Sequence, residues 1–438
     1  MTLRTPRKRH IARTGTLAVA LLALVPVSAG WVARSTASDQ KKTTRTEIVA
    51  QLPRELSRAR MRADLLAFER IADRWGGNRA AGTAGYRASV AHVRAELRRA
   101  GYEPLVVGFP FVLYRESVEK GTQIAPTRRV LRVEALDYSP STPKGGLRAR
   151  VVAADDGCQP GDFDGVRGVI ALARRGTCFF AVKARNASNA GAIALLVFNS
   201  EPGLFYGTLG GPQASAIPVA GIAGAVGLEL ASAWSSIVEL ELVTSRQRST
   251  SQNVLADTRD GARRVLMVGA HLDSVLVGPG INDNATGAAA LLEIARVLRA
   301  RYPELSVRFA FWGAEELGLF GSSAYARSVD RRRIVGYLNF DVLGSPSRER
   351  TVYKGAFAAR WLAYFERRGL RATEIDIGGR SDHFPFEQVG IPTGGLFSGG
   401  YACYHRACDR LESVDSAVFG QLAAAAAFGV ASFAPIER

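Results

Sequence analysis

The spacing of apolar residues changes twice along the chain, and each change predicts a different kind of structure. From 52 to 100 the period is helical. ELSRARMRADLLAFERIADR (55–74) places apolar side chains three or four apart, and SVAHVRAELRRAG (89–101) ends on the glycine expected just past a helix. GYEPLVVGFPFVLY (101–114) then reads as a strand or strand pair. From about 125 to 245 short apolar runs (LRVEAL, RARVVAA, GVIALAR, AIALLVF, IPVAGI) are separated by Gly, Pro and Asp, with one helical stretch, CFFAVKARNASNAGA, between two of them. This predicts a compact β-rich module. From about 249 strands and helices alternate: RVLMVGA (264–270), SVRFAFW (306–312), VGYLNFDVLG (335–344) and IPTGGLF (391–397) read as buried strands, and TGAAALLEIARVLRARY (286–302) as a helix. Continuous apolar strands between helices predict an α/β fold, a mainly parallel sheet sandwiched by helices, with its ligand site at the carboxyl ends of the strands.

Composition sharpens this picture at the ends of the chain. A length of 438 residues with 47% hydrophobic and 22% charged residues predicts two or three domains with a sizeable core. The formal net charge is +17, but Arg4, Arg7, Lys8, Arg9 and Arg13 crowd the first 29 residues, which hold no acid. This basic stretch precedes the apolar TLAVALLALVPVSA (16–29), which predicts an export signal over 1–29. Pro26 and the small residues at its end favour cleavage over an anchor, so no stable membrane association is expected. The polar residues 30–50 read as a flexible leader. The α/β domain is then expected over 51–124 and 246–438, interrupted by the module at 125–245. The remaining positive charge is dispersed arginine without interleaved aromatics, which argues against nucleic acid as a partner. An exported chain permits disulfides, and the local pairing Cys158–Cys178 and Cys403–Cys408 fits this domain reading.

The candidate chemistry lies where the sheet rule puts it. In FAFWGAEELG (309–318) a buried strand runs straight into two adjacent glutamates, Glu315 and Glu316, whose like charges should repel. His271 and Asp273 end the strand before it, Asp283 lies in the loop GPGINDN, Asp341 ends the next strand, and Tyr404 and His405 sit in CYHRAC. Taken singly, Asp283 reads as a turn residue or cap, Asp341 as a cap and His383 as structural. Taken together, two imidazoles and three carboxylates at one sheet edge suit a site for two metal ions, which offset the anionic repulsion. One glutamate then binds metal, and the other takes a proton from the attacking water.

Two resemblances extend the reading. GDFDGVRGVIALARRGTCFFAVKARNASNAGAIALLVFN followed by IPVAGI resembles the protease-associated (PA) domain, a non-catalytic module inserted into peptidases. GAHLDSVLVGPGINDNATGAAALLE, VRFAFWGAEELGLFGSSAY, YLNFDVLGSP, SDHFPF, IPTGGLFSG and CYHRACD resemble the co-catalytic zinc aminopeptidases of clan MH. That resemblance implies two Zn²⁺ per chain, one on His271 and Asp341, the other on Glu316 and His405, with Asp283 bridging. It implies Glu315 as general base, Asp273 as the partner orienting His271, and Tyr404 as donor to the oxyanion. The implied substrate is the N-terminus of a peptide or protein, and Phe397 is a candidate pocket wall. The connection between GLFSG and CYH is only a few residues here, whereas a secreted member of the family has a long loop. Carboxypeptidase or dipeptidase action, with Arg380 reading a carboxylate, and a non-catalytic receptor-like scaffold are the alternatives. Oligomeric state is not read from the sequence.

Overall fold

The computed structural model describes residues 44–233 and 235–436; the stretch read as an export signal lies outside them. The expected leader is shorter than 30–50, because its last six residues belong to helix α1 (Arg45–Glu55). Thr44 and Glu47 cap that helix reciprocally, and Ile48 and Leu52 are fully buried, so burial of one apolar stripe outweighs the polar look of the segment. Helices α2 (Arg58–Arg74) and α3 (Ala84–Arg99) follow, N-capped by Ser57 and Thr83.

The chain then leaves this layer on one long strand and returns on another. Strand β1 (Leu105–Ala125) runs out to a module built of β2 (Arg129–Leu131), β3 (Glu134–Ala135), β4 (Leu147–Ala153), β5 (Ile170–Arg174), α4 (Phe180–Asn189), β6 (Ala194–Phe198), β7 (Val219–Ile222) and α5 (Gly224–Ser232). Strand β8 (Ile237–Asp257) runs back antiparallel to β1, from Ala125↔Ile237 to Leu105↔Leu255. The expected limit at 245/246 therefore falls inside a continuous strand, where Ser245 lies opposite Arg115. Within the module β4, β5, β6 and β7 pair in parallel. Ala171, Leu195 and Val197 face one apolar cluster and Ile170, Leu172 and Leu196 the other, the alternation expected of a sheet covered on both faces. Helix α5 was not signalled by an apolar period.

The α/β part resumes with β9 (Val265–His271), α6 (Thr286–Arg301), β10 (Val307–Trp312), α7 (Phe320–Ala326), β11 (Ile334–Phe340), β12 (Thr351–Tyr353), α8 (Ala358–Glu366), β13 (Thr373–Ile375), α9 (Phe384–Gln388), β14 (Thr393–Phe397) and α10 (Ser416–Phe433). The strand order is β13-β12-β14-β11-β9-β10-β8, and β14, β11, β9 and β10 form the parallel centre. Leu266, Val268 and Ala270 pack under α1, α2, α3, α6, α8 and α10, while Val265 and Met267 pack with Trp312, Tyr337 and Phe386 on the opposite face. Gly269 is required between them, since a Cβ there would lie 2.3 Å from the Tyr337 hydroxyl. Among the described residues α10 alone is long and apolar enough to cross a membrane, yet 67% of it is buried in the protein against α1, α6 and α8. It is a core helix.

Candidate metal centre

Three neighbouring parallel strands end at one level and deliver the polar residues together. Trp312 of β10 is in register with His271 of β9, and Asn339 of β11 with Gly269, so the segments bearing His271, Glu315, Glu316 and Asp341 emerge side by side. Asp283 comes from the turn before α6. His405 comes from the loop closed by the Cys403–Cys408 disulfide; Cys158–Cys178 is formed in the module. Asp283 stands between the two imidazoles. Its Oδ1 is 3.0 Å from His271 Nε2 and its Oδ2 is 3.3 Å from His405 Nε2. Asp341 Oδ1 lies 3.3 Å from His271 Nε2, and Glu316 Oε2 lies 3.0 Å from His405 Nε2. Glu315 Oε2 stands further off, 3.9 Å from His271 Nε2.

The backbone around these side chains is held by polar contacts that leave the cluster facing one space. Asn282 Oδ1 accepts from Gly344 N at 3.0 Å, and Asn284 Nδ2 donates to Phe340 O at 2.9 Å, so the residues flanking Asp283 tie its turn to the end of β11. Asp409 accepts the amides of Asn282 and Asp283 at 2.9 and 3.1 Å. Arg79, fully buried, donates to the carbonyls of Leu272, Pro279 and Gly280 and so pins the loop after β9. Ser381 Oγ donates to Asp341 Oδ2 at 2.6 Å. Val342, just after Asp341, has φ of +51°, a conformation that is strained for a β-branched residue.

Asp273 differs from expectation. Its carboxylate is 3.9 Å from His271 Nδ1, too far for a hydrogen bond, and instead accepts the amides of Glu315 (3.1 Å) and Glu316 (3.4 Å). The His271 ring is oriented by the Asp273 main-chain carbonyl, 3.1 Å from Nδ1. With Nδ1–H donating there, Nε2 is left facing the carboxylates.

The charges in this cluster are far from their ordinary balance. Burial would push His271 down, but Glu315, Asp341 and Asp283 outweigh it and hold the imidazole well above the usual histidine range. His405 is likewise pulled up to about 10, by Glu316 and Asp283 against burial. Burial opposes the charge on Asp283, yet the two imidazoles hold it below the ordinary carboxylate range. Glu315 is pushed well up, chiefly by burial, and Asp382 and Asp273 are pushed up to about 7 and about 6 for the same reason. Glu316 Oε1, Asp341 Oδ1 and both oxygens of Asp382 are buried without a hydrogen bond. An excess of buried carboxylate with unpartnered oxygens calls for cations.

Other residues singled out in the sequence lie around this centre. Tyr404 is 41% exposed, its ring stacked on that of His405 at 3.9 Å. Phe397 ends β14, half-buried and level with Asp341, since Phe340 pairs with Leu396. His383 is buried against Tyr353, with its imidazole pushed down to about 4 by burial. Arg380 is exposed and donates to Ile377 O. Sequence reasoning missed Arg79, Asp382 and Asp409. The last two stand inside the quoted motifs SDHFPF and CYHRACD, while a lone arginine at 79 carries no signal.

The sequence pattern of Peptidase family M28 matches residues 253–429, and that of the PA domain matches residues 147–230. An aminopeptidase of Pseudomonas aeruginosa is 36% identical over 425 residues, spanning 83% of this chain and 78% of its own. The chain belongs to peptidase family M28. The M28 match contains all the strand ends that bear the cluster, and the module carried on β1 and β8 is a PA domain. Leucine aminopeptidase 2 of Arthroderma otae is 34% identical over 345 residues, 74% of this chain and 69% of its own. The solved structure of BSAP, a zinc aminopeptidase from Bacillus subtilis, superposes with a TM-score of 0.66 at 26% identity, covering 86% of this chain and 95% of that one.

Proposed function

We propose that this M28 peptidase is a zinc-dependent aminopeptidase acting outside the cytoplasm, removing large apolar residues from peptide N-termini. The observation that carries the site assignment is the reach of one carboxylate, Asp283, to both imidazoles through separate oxygens. Donor atoms about 2.0–2.1 Å from a tetrahedral zinc lie roughly 3.3 Å apart. The four closest imidazole–carboxylate approaches span 3.0 to 3.3 Å, and the donors are nitrogen and carboxylate oxygen, a set that zinc accepts. The buried, unpartnered oxygens of Glu316 and Asp341 fit the same reading. His271 and Asp341 would hold one ion, His405 and Glu316 the other, with Asp283 shared. Zinc in the Bacillus enzyme and the names of the relatives favour the metal and the exopeptidase action; the two disulfides favour an oxidising compartment.

Bound zinc supplies Lewis acidity and lowers the pKa of water. The chain supplies the rest. Glu315, whose carboxyl burial pushes up, takes a proton from the attacking water and hands it to the leaving amine as the C–N bond breaks. Tyr404 donates its phenolic proton to the oxygen that becomes negative. Asp273, holding the amides of both glutamates, fixes where these carboxylates stand. The surplus carboxylates around Asp341 attract the charged α-amino group, which restricts cleavage to the first peptide bond.

The test is hydrolysis of leucine p-nitroanilide and of leucyl peptides. Activity should be abolished by a chelator, restored by zinc, and absent when the peptide is N-acetylated. Cleavage of the acetylated peptide from its other end would overturn the reading. A subtler outcome concerns Asp409, which holds the Asp283 turn: Asp409→Asn replaces one acceptor by a donor, and kcat/KM should fall by about 10–100-fold as metal binding loosens, read by chelator titration.

A further inference from the structure

A cavity of about 620 Å³ lies between the PA domain and the loop that carries His405. Its wall is apolar, formed by Leu131, Leu204, Tyr206 and Val226, and two guanidinium groups, Arg132 and Arg406, border it. Arg406 directly follows the metal-site residue His405 inside the Cys403–Cys408 loop. Its backbone is fixed by Gly278, where a Cβ would lie 2.2 Å from Arg406 O, and its guanidinium reaches the PA domain at Gly203, within 3.9 Å of the Cβ position there. The cavity is thus lined by the PA domain on most sides and by one residue, Arg406, that neighbours His405 in sequence. Its size is in the range that holds small ligands.

The charge in this cavity is unspent. Among the described residues neither Arg132 nor Arg406 takes part in an ion pair. Arg129, also at the rim, is occupied by Glu229 at 2.6 Å and Gln123 at 2.7 Å. Glu134 is the one acid in the lining. Burial, with Glu119 and Glu116 adding to it, pushes its carboxyl up to about 7, so it opposes an entering anion less than an ordinary glutamate would. An apolar trough with two free guanidinium groups matches a chain with apolar side chains and a terminal carboxylate.

Resting on the aminopeptidase reading, we propose that this cavity binds the leaving part of the substrate, with Arg406 and Arg132 engaging the free C-terminal carboxylate of a short apolar peptide. A volume of about 620 Å³ has room for a short peptide segment and not for a folded chain. The PA domain would then act as a ruler favouring short peptides over protein N-termini.

The experiment compares Leu-Ala-Ala-Phe with its C-terminal amide. The ratio of their kcat/KM values within one preparation does not depend on how much of it is folded. The acid should be preferred about tenfold by the unmodified enzyme, and the preference should fall about threefold in Arg132→Ala and vanish in the Arg132→Ala/Arg406→Ala pair. Calorimetry with the product Ala-Ala-Phe and its amide should show the same difference in Kd without turnover. Cleavage of both peptides at equal rates sinks the cavity assignment while leaving the aminopeptidase intact. A tenfold preference that survives in the double variant sinks it too, by placing the carboxylate elsewhere. If neither peptide is cleaved by zinc-loaded enzyme and Ala-Ala-Phe binds no better than its amide, both readings fall.

Discussion

Glu315→Gln should leave bound zinc unchanged and lower turnover of leucine p-nitroanilide by about 10²–10⁴-fold, the range contributed by a positioned proton acceptor. That corresponds to roughly 2.7–5.4 kcal/mol of transition-state stabilisation. The amide of glutamine has the shape of the acid, and the main-chain contact from residue 315 to Asp273 does not depend on the side chain, so the turn should persist. The variant separates two readings of the same carboxylate. Glu315 groups with His271 and Asp341 closely enough to be a third ligand, but its 3.9 Å approach to His271 Nε2 is longer than the 3.0–3.3 Å of the other carboxylates. A ligand role predicts loss of metal in Glu315→Gln; a base role predicts loss of rate alone. Metal analysis by plasma mass spectrometry beside the rate decides between them, and wild-type turnover in a metal-replete variant would end both.

The sequence exposes some of this architecture for a physical reason and hides the rest for another. β9 and β10 were legible because a strand covered on both faces must be apolar throughout, and that run is broken where polar residues begin. His271, Glu315, Glu316 and Asp341 stood out at those breaks, and the structure brings them together with Asp283 and His405. Asp409, Asp382 and Arg79 did not stand out. A lone charged residue in a loop is usually solvated, and only the fold shows that these three are buried, two of them against the segments that carry the cluster. The limit of the module at 245/246 was misplaced because the middle of β8, TSRQRSTSQN (244–253), is an unbroken polar run that looks like a linker, yet it stays extended by pairing with β1. For Asp273 the sequence could not show which atom meets His271: the main-chain carbonyl does, while the carboxylate accepts the amides of the glutamates.

Removing the Asp283 carboxylate should have the widest consequence of any single change. In Asp283→Ala each imidazole loses its shared neighbour, so neither half of the proposed site keeps its three protein donors, and bound zinc should fall from the proposed two ions per chain to fewer than one. Turnover should then drop beyond what Glu315→Gln shows, and added zinc should not restore it. Stability supplies a second reading of the same event. A ligand present at 100 times its Kd stabilises the folded state by about 2.7 kcal/mol per site, so zinc should raise the unfolding temperature of the unmodified protein and leave that of Asp283→Ala almost unmoved. Unfolding both proteins in chelator controls for damage to the fold, since neither then draws stability from the metal. Two zinc ions retained by Asp283→Ala, with the same thermal response as the parent, would mean that the carboxylate between His271 and His405 bridges nothing, and the assignment of the whole centre would fail with it.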